Sequence, residues 1–290
     1  MKIPQREILK PNHLACPGCA AALAMRLALK ALGDKTMIVI PACCWTVING
    51  TWGNNYAGVP VFHAPFATTA AVAAGIKASL DKQGKTDITV MGWAGDGGTF
   101  DIGLQALSGA AERNDDIIYV CYDNEAYMNT GIQRSSATPV GAETTTTPAP
   151  IVKQRPKKDL MEIVASHFVP YVASATVAYP TDLIKKFEKA KSFKGFKLIH
   201  IFSPCPPGHK FPENKSIEVS KLAVETGVFP LYEIEYGKYK INKKPKFRPL
   251  EDYLSLQGRF KNITQKEIDE LKELIKVRWE RINERTQGSL

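Results

Sequence analysis

At 290 residues and 44% hydrophobic, the chain can bury a sizeable core in one large domain or two small ones, which excludes a disordered or low-complexity protein. Its net charge of +9 is concentrated in GKYKINKKPKFRP, Gly237 to Pro249, a proline-containing segment that reads as an extended arm and not as an arginine and aromatic stripe, so nucleic acid is not an expected partner. The start, MKIPQREILKPNH, lacks a signal-peptide core and the apolar stretches fall short of membrane-spanning length, so a soluble, cytoplasmic protein is expected, whose six cysteines serve metal binding or burial and not disulfides.

From the N-terminus, PGCAAALAMRLALKALG reads as a helix closed by Gly33, TMIVIPA as a buried strand, and ATTAAVAAGIKASLDKQG as a helix with small residues for close packing. The strand DITVMGWAG, the helix DIGLQALSGAAERN and the strand DIIYVCYDN follow. From Asn124 to about Val152 there is no helical or strand period, and loops of that length inside compact domains are usually functional. KDLMEIVASHF, YVASATV, YPTDLIKKFEKAKSF and FKLIHIFS then resume the alternation to about Ser203. The pattern predicts an α/β fold, a mainly parallel sheet with helices on both faces, over residues 1–226. After Gly227 it stops. The basic arm leads into TQKEIDELKELIKVRWERINE, where Thr264 and Glu267 form a capping box and Ile268, Leu271, Ile275 and Ile282 share a face, so 227–290 reads as a C-terminal docking segment.

The stretch WAGDGGTFDIG places one acid, Asp96, among Gly95, Gly97 and Gly98 at a strand end. In an open parallel sheet, ligands sit beyond the carboxyl ends of strands, and glycine there permits a sharp turn and close approach to a phosphate. Alone, GDGG is as readily a plain turn. The next strand, however, ends in YDNEAYMNTG, with Asn124 28 residues after Asp96, at the same sheet edge for a right-handed crossover. A carboxylate, a side-chain amide, a backbone carbonyl and diphosphate oxygens suit Mg²⁺. The helix start after Asp96 favours the anion. This pair resembles the thiamine diphosphate fingerprint of thiamine-dependent enzymes, which implies that Asp96, Asn124 and the Ala126 carbonyl hold the cation.

Cys16 and Cys19 form a C-x-x-C in ACPGCA at a helix start, a pattern that suits a soft metal or cluster and equally half a zinc site or a redox pair. Cys44 follows a strand in PACCWTV, and Cys205 follows the last strand in SPCPPGH. Four thiolates at element ends make a Cys₄ site for [4Fe-4S] or zinc. The thiamine pattern favours the cluster, because the cofactor chemistry needs an electron acceptor nearby.

CPGC, GDGGTFDIGLQALSGAAERN and CYDNEAYMNTGIQRSSATP together resemble the thiamine-binding beta subunit of 2-oxoacid:ferredoxin oxidoreductases, best known as pyruvate:ferredoxin oxidoreductase. The likeness spans most of the chain. It implies that Cys16, Cys19, Cys44 and Cys205 ligate the cluster proximal to thiamine, with Cys44 preferred to Cys43 by the residues that follow it. It also implies that Gly95, Gly97, Gly98, Cys44, Thr130 and Gly131 line the cofactor and that Asn129 lies near the reacting centre. After Cys205 the chain reads PPGHKF where the family commonly has a Thr-Gly-Trp-like sequence. The implied activity is oxidation of pyruvate, or of 2-oxoisovalerate, 2-oxoglutarate, an aryl glyoxylate or oxalate, to CO₂ and an acyl-coenzyme A, with ferredoxin as acceptor, or the reverse. The implied partners are an alpha subunit supplying the pyrimidine module and its activating Glu, gamma and ferredoxin-like delta subunits or domains, and soluble ferredoxin. The assembly would be a homodimer of the hetero-oligomer, and this chain would be inactive alone.

Other residues have plainer readings. Cys121 and His200 suit the core, while His63 could line the pocket or be a hydrogen-bonded structural residue. Arg134 could meet a carboxylate or form a surface ion pair. Thr144 to Pro148 could close over a cofactor or be a polar loop. Two other functions stay open: a thiamine decarboxylase or carboligase without a cluster, which leaves the cysteines unexplained, and a zinc-stapled basic binding protein, which leaves Asp96 and Asn124 unexplained.

Overall fold

The computed structural model describes residues 3–51 and 53–288. Its eight strands are β1 Thr36–Pro41, β2 Val61–Ala64, β3 Thr89–Gly95, β4 Ile118–Asp123, β5 Tyr171–Thr176, β6 Lys197–Phe202, β7 Leu231–Glu235 and β8 Lys238–Lys243. They form one sheet in the order β2-β1-β3-β4-β6-β5-β7-β8, parallel as far as β5 and antiparallel at β7 and β8. Strands β4, β5 and β6 are buried along their whole length, as expected of parallel strands covered on both faces.

The helices are α1 Ala20–Leu32, α2 Cys44–Ile48, α3 Thr69–Lys82, α4 Leu104–Glu112, α5 Leu160–Ala165, α6 Pro180–Ser192, α7 Pro206–His209, α8 Ser216–Glu225, α9 Leu250–Leu254 and α10 Gln265–Gln287. Helices α1 and α6 cover one face, where Met25, Leu29, Leu183 and Phe187 meet Ile38, Met91, Val120 and Ile199. On the other, α3, α4 and α5 bring Ala73, Leu107 and Val164 against Val39, Ala94, Cys121 and Val172. A third cluster joins α8, α9 and Phe260 to Phe202 and Leu231. Among the described residues, no helix is long and apolar enough to cross a membrane.

The expected elements up to β6 are present, with one local change. The helix anticipated directly after Asp96 begins as a π-helical turn, Gly97–Asp101, before α4. π turns of this kind concentrate at functional sites.

The basic stretch Gly237–Pro249 is not an extended arm throughout. Tyr236 and Gly237 both take positive φ, 47° and 78°, which makes a tight hairpin, and Lys238–Lys243 returns as the edge strand β8. Its exposed lysines blunt that edge against further pairing. Helix α10 has its capping box, with the Thr264 hydroxyl accepting the Glu267 amide and the Glu267 carboxylate accepting the Thr264 amide at 2.8 Å. Ile268, Leu271 and Ile275 pack on the third cluster and Ile282 on the second, so the apolar face of α10 is covered by its own chain. Trp279 is buried there, its indole N–H donating to the Gly227 carbonyl at 2.9 Å.

Candidate active site

Four adjacent parallel strands end at one edge of the sheet, β1, β3, β4 and β6 in spatial order. Past those ends stand Cys44, Asp96, Asn124 and Cys205 respectively. Gly95 is in register with Tyr122, which sets Asp96 beside Asp123 and Asn124. A cavity of about 210 Å³ opens there. It is lined by Cys44, Gly95, Asp96, Gly97, Gly98, Asn124, Ala126, Asn129 and Thr130 from the predicted set, together with Cys43, Phe66, Tyr122, Tyr127 and Met128. Gly131 is not in the lining, and neither are Cys16, Cys19 and Cys205.

The cavity floor is a cluster of oxygens. One terminal atom of the Asn124 amide lies 2.9 Å from Asp96 Oδ1 and 3.0 Å from the Ala126 carbonyl oxygen. Turned nitrogen-inward, the amide donates to both. Turned oxygen-inward, it makes a trio of acceptors that a small hard cation satisfies, so the donor set fits Mg²⁺. The other Asp96 oxygen accepts from the Ser135 hydroxyl at 2.5 Å. Burial, with the Asp123 carboxylate close by, pushes the Asp96 carboxyl well above its usual range, the electrostatic deficit that a cation at this point would remove. Gly97 brings the backbone against the Tyr127 ring, where a β-carbon would come within 2.4 Å.

A buried ion network backs this floor. Asp123 is paired with Lys157 and with His200 Nε2 at 2.7 Å. Glu125 is paired with Lys157 at 2.9 Å and with Arg259 at 2.6 Å. Burial alone would raise the Asp123 carboxyl, but the Lys157 ammonium and His200 hold it below its ordinary value. His209 Nε2 hydrogen-bonds the Asn124 carbonyl at 2.9 Å, and burial, then Arg259, lower its pKa to about 3, so its ring is neutral and donates.

The thiols occupy helix starts. Cys19 is the N-cap of α1, following a turn in which its amide bonds the Cys16 carbonyl at 3.1 Å, and Cys205 is the N-cap of α7. Cys44 begins α2. Burial, then the thiols Cys43, Cys205 and Cys19, push Cys44 far up, and burial pushes Cys205 up to about 12, with Cys19 and Cys16 adding to it. Cys16, Cys19, Cys43, Cys44 and Cys205 are therefore electrostatic neighbours. Cys43 has contacts of its own: it caps α2 by accepting the Thr46 amide and contacts the Tyr122 hydroxyl. Among the described residues, no three His, Cys, Asp or Glu side chains gather tightly enough for a single ion.

His63 is exposed on the edge strand β2, and Cys121 is buried in β4. His200 is in the core, its Nε2 hydrogen-bonded to Asp123 Oδ2. Arg134 is exposed, and Thr144–Thr147 form a turn tied to the 131–134 segment, the Thr145 hydroxyl donating to the Gly131 carbonyl at 2.7 Å and the Thr146 hydroxyl accepting the Arg134 amide at 2.9 Å. Sequence reasoning missed Ser135, Tyr127, Lys157, His209 and Arg259. Tyr127 and Ser135 stood within the quoted motif, whereas Lys157 and Arg259 carry no local signal.

Residues 44–201 match the family model described as thiamine pyrophosphate enzyme, C-terminal TPP binding domain. The chain is 50% identical over 295 residues to ketoisovalerate oxidoreductase subunit VorB of Pyrococcus horikoshii, covering 97% of this chain and 94% of that one. It is 47% identical over 279 residues to pyruvate synthase subunit PorB of Methanothermobacter thermautotrophicus, covering 95% and 97%. Among solved structures it is similar in fold to the 2-oxoglutarate:ferredoxin oxidoreductase from Magnetococcus marinus, with a TM-score of 0.61 and 21% identity over 76% of this chain and 80% of that one.

Proposed function

The chain belongs to the thiamine-binding beta subunits of the 2-oxoacid:ferredoxin oxidoreductases, and from that premise we propose that it carries the catalytic cofactors of an enzyme that oxidises a short aliphatic 2-oxoacid, pyruvate first, to an acyl-coenzyme A and CO₂. The observation that carries the reading is the meeting of Asp96, Asn124 and Ala126 oxygens in one cavity with Cys44. Asp96, Asn124 and the Ala126 carbonyl would hold Mg²⁺, and Gly97 and Gly98 leave room for the diphosphate beside it. Asn129, at the exposed rim, is placed to meet the substrate. Bound thiamine diphosphate supplies the carbon nucleophile for decarboxylation.

Cys16, Cys19, Cys44 and Cys205 would hold a [4Fe-4S] cluster. Each thiolate of such a cluster binds a different iron, and a thiamine site that needs an electron acceptor beside it favours the cluster over a mononuclear zinc. Backbone amides face two of the four, those of Ala22 and Ala21 at Cys19 and that of Gly208 at Cys205. The partners in this reading are an alpha subunit bringing the pyrimidine module and its Glu, gamma and delta subunits or domains, and ferredoxin, in a cytoplasmic homodimer of the hetero-oligomer. Residues 227–290 would serve docking, through exposed Tyr236, Phe247 and Val277.

A second reading, 2-oxoisovalerate as substrate, is favoured by the 50% identity to a ketoisovalerate oxidoreductase subunit. The test is one preparation, purified without oxygen with its partner subunits and assayed for iron, sulfide, thiamine and coenzyme A-dependent dye reduction. About four iron and four sulfide per chain and a kcat/KM at least tenfold higher for pyruvate are expected. The opposite preference establishes the second reading, and absence of thiamine overturns both.

A further inference from the structure

Asn124 and Ala126 are two residues apart, yet the end of the Asn124 amide meets both Asp96 Oδ1 and the Ala126 carbonyl oxygen, and the residue between them makes this possible. Glu125 takes the left-handed conformation, φ 64°, one that a non-glycine residue keeps only where its surroundings hold it. Four contacts hold Glu125. Its amide donates to Asp123 Oδ1 at 3.0 Å and its carbonyl accepts the Thr138 hydroxyl at 2.6 Å. Its carboxylate, buried, is gripped by Lys157 and by Arg259 Nη2.

Arg259 comes from 134 residues further along the chain, in a short turn between α9 and α10. It is itself buried and fixed: its carbonyl accepts the Glu143 amide at 2.9 Å and its Nε donates to Gln257 at 3.1 Å. The adjacent Gly258 amide donates to the Lys210 carbonyl at 2.9 Å, next to His209, whose ring bonds the Asn124 carbonyl. One short segment outside the thiamine-domain match thus grips the loop that presents two of the three cation-facing oxygens. Without Arg259, the buried carboxylates of Asp123 and Glu125 share the single charge of Lys157, so Glu125 is expected to leave its left-handed conformation when Arg259 is lost.

We propose that Arg259 is a positioning residue that couples occupancy of the cation and diphosphate site to the seating of the 250–262 segment. This rests on the functional reading above. Because coupling is reciprocal, filling the site tightens the segment, and loosening the segment weakens the site.

The experiment uses the complex purified with its partner subunits and stripped of cofactor. Hydrogen exchange is followed with and without thiamine diphosphate and Mg²⁺, and the Mg²⁺ concentration that half-saturates thiamine diphosphate binding is measured by calorimetry. Amides across 250–262 are expected to slow at least threefold on binding. Arg259→Met should raise the half-saturating Mg²⁺ tenfold or more, and Arg259→Lys should recover part of that shift because it restores the charge without the fork. If the wild-type complex binds thiamine diphosphate but 250–262 exchanges unchanged, the inference is overturned. An unchanged Mg²⁺ requirement in a folded Arg259→Met also overturns it. If that variant does not fold, the wild-type exchange decides alone. Failure of the wild type to bind thiamine diphosphate overturns the functional reading and the inference with it.

Discussion

Cys43 and Cys44 are neighbours in sequence with opposite surroundings. The Cys43 sulfur caps α2 by accepting the Thr46 amide, a task that a serine hydroxyl does better. Cys44 is raised by burial, then by Cys43 and by the thiols of Cys205 and Cys19. Cys43→Ser is therefore expected to keep its iron within about a fifth of wild type, while Cys44→Ser loses at least half, read by iron and sulfide analysis of anaerobically purified complex. The reverse result would exchange their roles. Asp96 and Asn124 were legible in the sequence because each follows a buried strand, so a fixed spacing maps onto one sheet edge. Ser135 and Arg259 were not, because their contacts with Asp96 and Glu125 span 39 and 134 residues with no periodic pattern between them. Glu125 was hidden for another reason: nothing in NEA announces a left-handed residue that is not glycine, asparagine or aspartate.

The long connection from Asn124 to α5 was readable as functional from its length, but not the contacts that order it. Lys153 is one of them. Its ammonium is buried and donates to the Thr138 carbonyl at 2.6 Å, while its backbone pairs with Gly141 and Ala142. Burial, then the nearby Arg134 and Lys157, lower its pKa to about 8. An unfolded lysine holds its proton to about 10.4. Between those values the unfolded chain binds more protons, so this side chain's contribution to stability grows as pH rises and is lost as pH falls through 8, on the order of 3 kcal/mol at full extent. From pH 7.5 to 9.5 the wild type should therefore gain melting temperature relative to Lys153→Met. Parallel curves for the two proteins would show that Lys153 releases its proton no earlier when folded. The β7–β8 hairpin escaped notice for a related reason of chemistry. Its turn is Tyr-Gly in place of Asn-Gly or Asp-Gly, and the lysines that protect the edge read as a solvated charge run.

At the scale of the whole molecule, one sheet edge collects everything the chain contributes. Cys44, Asp96, Asn124 and Cys205 follow four adjacent strands, and the remaining walls come from the loop after β4, from Cys43, Thr46 and Val47 at α2 and from Phe66 after β2. Within the cavity lining the one carboxylate is Asp96, turned to the cation-facing trio and to Ser135. No second carboxyl in that lining can face an aminopyrimidine ring, and Asn129 and Thr130 lie exposed at the rim. In the proposed reading the acid–base group comes from the alpha subunit, so proximity and proton transfer, worth factors of hundreds or more in rate, would arise only on assembly. The isolated chain is accordingly expected to take up thiamine diphosphate and Mg²⁺ weakly and to oxidise 2-oxoacids at less than a hundredth of the rate of the assembled enzyme. Titrating purified partner subunits back should restore the rate with a saturating stoichiometry, measured by viologen reduction without oxygen. Turnover by the chain alone at the assembled rate would mean that a proton-transferring group within this chain completes the site, and the search for it would begin at Tyr127, whose hydroxyl donates to Asp101 at 2.9 Å beside the cavity.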